Sequence, residues 1–201
     1  MNRTGAYFRV LLVALLAGVV VGCSSTAPGS YVRPPDEGDD EAHASAAGSA
    51  CVTPENVDGV VEYLAARIQA ERDREGLAPL LLNPTLNAVA DEYACRMISG
   101  EFFSHVDPET DSSPGQRVLE AGYDFLTVGE NLAAGQRTVD EVLQQWMNSE
   151  GHRENILGAN WHETGISVRM GGQYGVYWVQ IFADPIQFGA TPPALWVVAG
   201  R

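Results

Sequence analysis

The run from Tyr174 to Phe182 limits what this 201-residue chain can fold into more than any other stretch. In an extended strand Val176, Trp178, Gln180 and Phe182 share one face, while Tyr177, Val179 and Ile181 share the other. Both faces are mostly apolar, so the strand belongs in the middle of a sheet covered by helices on each side. Gly165 to Met170 reads as its neighbour, joined through Gly171-Gly172-Gln173, a short glycine-bearing loop of the hairpin kind.

The chain before this hairpin supplies helices to cover it. Thr53-Pro54 offers an N-cap and a proline at the first helical position, and Val57, Val60, Val61, Leu64, Ala65 and Ile68 then recur at helical spacing up to Gly76. Asn83-Pro84 repeats that start before Leu86, Val89, Ala90, Tyr93, Ala94 and Met97, with Gly100 as the stop. Residues 101–113 read as a loop, since Ser104-His105, Asp107-Pro108 and Asp111-Ser112-Ser113-Pro114 are closely spaced turn formers. Pro114 opens a short helix ending at Gly122, and Phe125 to Ala134 alternates like a short strand. Thr138-Val139-Asp140-Glu141 is a capping box for a helix that buries Val142, Leu143, Trp146 and Met147 and is expected to end at Gly151, just before His152.

Chemistry-bearing residues gather between Glu101 and Glu163. His105, Glu130 and His152 lie 25 and 22 residues apart, so they cannot meet on one helix and converge only if loops and a strand fold back over a shared cleft. Two neutral imidazoles with a carboxylate form a plausible ligand set for zinc or another divalent cation with an open position. The competing reading is a hydrogen-bonded network in which Glu130 bonds amides of the loop bearing His105 and Asn131 clamps the same loop. Hydrolysis finds less support: there is no Gly-x-Ser-x-Gly elbow, and Ser149 stands at a helix end, where capping accounts for a serine. His43 and His162 read as solvated surface residues, and Trp146 and Trp178 as core rather than the lining of a groove.

The ends of the chain carry a different message. Residues 1–22 hold Arg3 and Arg9 and then the apolar run Val10 to Val21, the order of a secretory signal and too short to span a bilayer. Val20-Val21-Gly22-Cys23 resembles the lipobox at which bacterial lipoproteins are acylated, with palmitate among the chains in prospect; a plain secretory signal with an incidental cysteine is the alternative. Residues 23–50 form an acidic, Ser-, Ala-, Gly- and Pro-rich tether with Asp36, Glu37, Asp39, Asp40 and Glu41 in close succession, a flexible coil spanning about 30 Å. Residues 51–201 form the folded domain, whose tail with Leu195, Trp196, Val197 and Val198 is expected to wrap over it.

With Cys23 used for lipid, Cys51 and Cys95 are the remaining pair, and export permits a disulfide between them. All twelve basic residues are arginine; without Arg3 and Arg9, ten face 26 acids, a formal charge of −16 that argues against nucleic acid and anionic lipid as partners.

In this order, Phe103-Ser104-His105-Val106-Asp107-Pro108, Gly129-Glu130-Asn131-Leu132-Ala133, Trp146-Met147-Asn148-Ser149, Gly151-His152-Arg153-Glu154-Asn155-Ile156-Leu157, Glu163-Thr164-Gly165-Ile166 and Tyr177-Trp178-Val179-Gln180 resemble the CAP superfamily, in particular its bacterial SCP-like branch, from about Thr53 to Asp184. The resemblance implies an α+β fold, the three-layer αβα sandwich of that family. It places His105, Glu130 and His152 on three of the family's four cleft positions; at the fourth, where animal members have glutamate, stands Ser149, with Glu150 and Glu163 as substitutes. Together with the lipobox at Cys23 it implies a lipid-anchored extracytoplasmic binding or scaffolding module rather than an enzyme, with an envelope protein or a small apolar ligand, a lipid or sterol included, as partner. A metal-dependent hydrolase is the alternative.

Overall fold

The structure is a computed structural model and describes residues 32–33 and 50–186. The expectations for the signal, Cys23, His43 and the tail from Gln187 onward lie outside these residues.

Four strands form one sheet: β1 (Leu81–Leu82), β2 (Phe125–Ala134), β3 (Glu163–Gly171) and β4 (Gly175–Pro185), in the order β1-β3-β4-β2. β4 is central and antiparallel to both neighbours, with Ile181 opposite Glu130 on one side and Gly165 on the other, while the two-residue β1 runs parallel to β3 at one edge. Trp178 and Phe182 join one buried cluster with Val60, Leu64, Ile68, Val142 and Trp146. Tyr177, Val179 and Ile181 join a second with Leu86, Ala90, Tyr93, Met97 and Val118. The two-faced apolar strand is thus covered on both sides, which makes the domain the expected αβα sandwich.

The first cluster is closed by α1 (Val57–Arg74), α4 (Val139–Asn148) and α5 (Glu150–Ile156), the second by α2 (Pro84–Ser99) and α3 (Pro114–Glu120). The caps follow the sequence at α2, where the Asn83 side chain accepts from the amides of Thr85 and Leu86, and at α4, where Thr138 and Glu141 form the reciprocal box. Ser113 and Gln116 form a second capping box at α3. α1 begins later than the Thr53-Pro54 signal, at Val57 with Asn56 as the N-cap residue, because residues 50–55 run along the domain instead, with Val52 bridging Met170. α2 lies so close to β3 that a Cβ on Gly165 would sit 2.2 Å from the Leu86 backbone, so only glycine fits there.

Cys51 and Cys95 are bonded, with Cα atoms 5.1 Å apart, and fasten this incoming segment to α2. The tether is not solvated along its whole length. Val32 is 2% exposed and belongs to the first cluster; its amide donates to the Arg137 carbonyl, the Arg33 amide to Asn56 Oδ1, and Glu55 donates to the Arg33 carbonyl.

Candidate functional site

The site is assembled over β2, an edge strand approached from both helical layers. Its outward carbonyls are not left open: Asn155 Nδ2 donates to Glu130 O at 3.2 Å and Trp146 Nε1 to Leu132 O at 3.1 Å, so α4 and α5 cover that edge. Gly129 permits the close fit, because a Cβ there would lie 3.1 Å from the Trp161 ring and 3.2 Å from Asn155 Oδ1.

Glu130 faces the α2 and α3 side with its side chain 1% exposed. Its Oε1 lies 2.8 Å from His105 Nδ1 and its Oε2 accepts from Arg117 Nη2 at 2.7 Å. A carboxylate can only accept, so Nδ1 of this half-exposed ring is the donating nitrogen and Nε2 is the one turned away from Glu130. Burying such a charge is tolerable only because both oxygens are paired.

Arg117 is the centre of this arrangement. Its Nη1 donates to the carbonyls of Ser112 and His105, so the guanidinium holds both ends of the loop, and its Cζ stands 3.3 Å from the centroid of the Tyr93 ring. Tyr93 in turn donates to the Ser104 carbonyl, and burial pushes its phenol up to about 12, so it remains a donor. Asp107 fixes the rest of the loop by accepting from the amides of Glu109 and Thr110 and from Arg96 Nε at 2.6 Å; Arg96 also pairs with Glu109. Chiefly because of Arg96, the Asp107 carboxyl is held well below the usual carboxylate range.

His152 arrives from the opposite layer. α4 and α5 are separate helices meeting at Ser149, so Gly151 lies in the first turn of α5 and His152 is a helical residue, not one following a helix end. Arg72, wholly buried, ties α5 down by donating to the carbonyls of Ile156, Gly158 and Ala78. Burial first, and then the neighbouring His105, depress the His152 pKa, which favours the neutral ring. Its Nδ1 is buried and has no hydrogen-bond partner among the described residues.

The network differs in detail from the sequence expectation. Glu130 bonds the His105 ring rather than amides of its loop, and that second task falls to Asp107. Asn131 clamps α5, donating to the His152 carbonyl and accepting from Asn155 Nδ2, and leaves the His105 loop alone. Ser149 occupies a cap position but its side chain makes no cap hydrogen bond. Glu163 is engaged elsewhere, accepting from Asn83 Nδ2 and the Tyr123 hydroxyl at 2.7 Å each. Trp146 and Trp178 are core residues, and His162 is exposed and paired with Asp184. Arg117, Tyr93 and Asn155 were not singled out by sequence. Among the described residues no group of three or more His, Cys, Asp or Glu side chains is arranged to hold a metal ion.

A model of the cysteine-rich secretory protein family (CAP) matches residues 65–182. The uncharacterized protein YkwD of Bacillus subtilis is 36% identical over 129 residues, 64% of this chain and 49% of that protein. The uncharacterized membrane protein YlbC of the same organism is 32% identical over 97 residues, 48% of this chain and 28% of that protein. The chain therefore spans half or less of the length of these relatives. An extracellular protein with an SCP domain from Bacillus anthracis superposes with a TM-score of 0.57 at 27% identity, covering 64% of this chain and 41% of that one. An outer surface protein from Borrelia burgdorferi superposes with a TM-score of 0.58 at 24% identity, covering 62% and 91%, a likeness of fold alone.

Proposed function

Since this chain belongs to the cysteine-rich secretory protein (CAP) family, we propose that it is an extracytoplasmic binding module whose cleft takes a divalent cation, zinc or a similar ion, through His105 and His152. The single observation that carries this is the Glu130 carboxylate, which is buried and has one oxygen on His105 Nδ1 and the other on Arg117. A carboxylate so committed orients an imidazole and raises its basicity, as the outer partners of metal-bound histidines do. The same placement argues against a hydrolase, because Glu130 is closed off from solvent with both oxygens already hydrogen-bonded and so is badly placed to take a proton from water. His152, with its pKa depressed, supplies the second neutral ring that a cation requires.

The bound ion would serve as a binding determinant for an envelope protein or a small apolar ligand at the cleft. The extracytoplasmic placement is supported by the signal-like residues 1–22 and by the description of the Bacillus anthracis relative as an extracellular protein. Cys23 would carry the lipid anchor. Metal analysis of the purified mature protein, before and after chelator treatment, tests the cation: a stoichiometric divalent metal removed by chelator and restored by zinc supports it, and a metal-free protein that takes up none overturns it. The anchor is tested separately by Cys23→Ala, which should move the protein from the membrane to the soluble fraction; undiminished membrane retention refutes it.

A further inference from the structure

The segment that leads back to Cys23 is fastened to one end of the domain, the end where β3 turns into β4. Gly135, just past β2, donates to the Val176 carbonyl; two residues on, the Arg137 carbonyl accepts from the amide of the buried Val32, and Val52 bridges Met170 beside the same turn. Nine residues, 23–31, separate Cys23 from Val32, so this stretch reaches at most about 30 Å in any conformation. β4 alone has 11 residues, a length of about 35 Å. An anchor at Cys23 therefore keeps the turn end close to the bilayer. The opposite end, which carries the exposed Leu126, could be set on the bilayer only with those nine residues drawn out to nearly full length along the sheet.

Two aromatic rings project from the turn end. Phe103 and Tyr174 are 41% and 46% exposed, their centroids lie 5.9 Å apart, and Phe103 rests edge-on against the fully buried Tyr177. Tyr174 belongs to the turn itself, while Phe103 follows α2, whose last turn meets the β3–β4 turn where Ile98 packs against Gly171. Rings that are apolar in body, with a polar tip in tyrosine, settle at the boundary between acyl chains and headgroups. Arg33, Arg137, Glu55 and Glu101 are exposed around them, two charges of each sign. Such a surface suits zwitterionic headgroups, whereas the formal charge of −16 on the mature chain disfavours anionic ones.

We propose that the turn end of the domain docks on a zwitterionic lipid surface, with Phe103 and Tyr174 set into the interface. This rests on the anchoring of Cys23 proposed above. Two rings bind a bilayer weakly from solution, but a short link to an anchor confines them beside it, so a weak affinity is enough to orient the domain. Glu130 lies four residues before Ala134 on β2, so the His105 cleft is held roughly 14 Å along the strand from this end, near any ligand carried on the lipid surface.

The test uses the nitrogen-15-labelled mature chain, residues 23–201, coupled through the Cys23 thiol to a maleimide lipid in phosphatidylcholine nanodiscs that also contain a gadolinium-bearing lipid. The Cys51–Cys95 disulfide leaves no competing thiol. Relaxation of each backbone amide by the metal falls steeply with its distance from the lipid surface. Enhancement several-fold larger at Gly172, Tyr174 and Arg137 than at Leu82 and Leu126 is expected, and this contrast should shrink several-fold in Phe103→Ser/Tyr174→Ser. The proposal is overturned if the wild-type enhancement is equal at the two ends or larger at the leucine end, a comparison that needs no variant, or if the double variant keeps the wild-type contrast. Because the thiol coupling supplies the anchor, the result does not depend on whether the cell acylates Cys23, which the Cys23→Ala fractionation decides.

Discussion

Replacing Arg117 with methionine keeps the unbranched stem of the side chain but removes the guanidinium that pairs with Glu130. The pair is closed to solvent, with side-chain exposures of 11% for Arg117 and 1% for Glu130, so screening by water does little to reduce its worth. Removing one partner of a buried, hydrogen-bonded ion pair costs about 3–5 kcal/mol, because the other charge is left behind. The stacking on Tyr93, about 2 kcal/mol when desolvated, and the bonds to the Ser112 and His105 carbonyls overlap with that sum rather than adding to it. The expected loss is therefore about 4 kcal/mol, or on the order of 10 °C in Tm for a domain of this size. Urea unfolding followed by the fluorescence of the buried Trp146 and Trp178 measures it. The reasoning has a sharper consequence: if the loss comes from stranding Glu130, then Glu130→Gln in the Arg117→Met background should recover at least about 1 kcal/mol relative to additivity. A loss below about 1 kcal/mol for the single variant, or strict additivity of the two, would refute it.

Three further outcomes are expected from the same unfolding assay. Cys51→Ser/Cys95→Ser should lose about 4 kcal/mol, the chain-entropy value for a closure of 44 residues, with no free thiol detectable in the unreduced wild type. Val32→Ala should lose about 1.5 kcal/mol by removing buried methyl groups, whereas a tract solvated throughout would lose nothing. Asp107 is held below its unfolded value of 3.8, so its stabilisation is complete above about pH 4 and is lost as the pH falls toward its folded value. The gap between wild type and Asp107→Asn should therefore narrow on acidification, and a gap that stays constant from neutral to strongly acid pH would contradict the pairing with Arg96.

The parts of the fold that could be read from sequence are those in which a local pattern and the tertiary demand agree. The two-faced strand at Tyr174–Phe182, the stripes of α1 and α2, and the cap at Thr138 state their environment within a few residues. Val32 carries no such pattern, since one apolar residue in an acid-rich tract has no period, and its burial depends on a groove formed by α1 and the segment before α4. β1 has only two residues and is a strand solely because β3 lies beside it. At the site, the histidines and Glu130 were legible as motif residues but their roles were not. Arg117 is a lone arginine in a seven-residue helix, thirteen positions from Glu130, and only the fold of the loop over β2 brings them together. The Asp107-Pro108-Glu109-Thr110 turn did hold a usable signal, because an aspartate that accepts from amides two and three residues ahead fixes the loop behind His105. The end of α4 near Ser149 could be read, but the start of α5 there could not, since Gly151 in its first turn reads as a helix stop and no side chain makes the cap.

The central claim, that His105 and His152 take a divalent cation with Glu130 as the positioning carboxylate, is tested most directly by calorimetric titration of the metal-free mature protein with zinc at about pH 7.5 and about pH 5.5, on either side of the ordinary histidine pKa. The account predicts one zinc per chain at the higher pH and much weaker binding at the lower. Binding should be abolished by His105→Ala and by His152→Ala and weakened about 10–100-fold by Glu130→Gln. No heat of binding in the wild type, or unchanged binding in His105→Ala/His152→Ala, would contradict it.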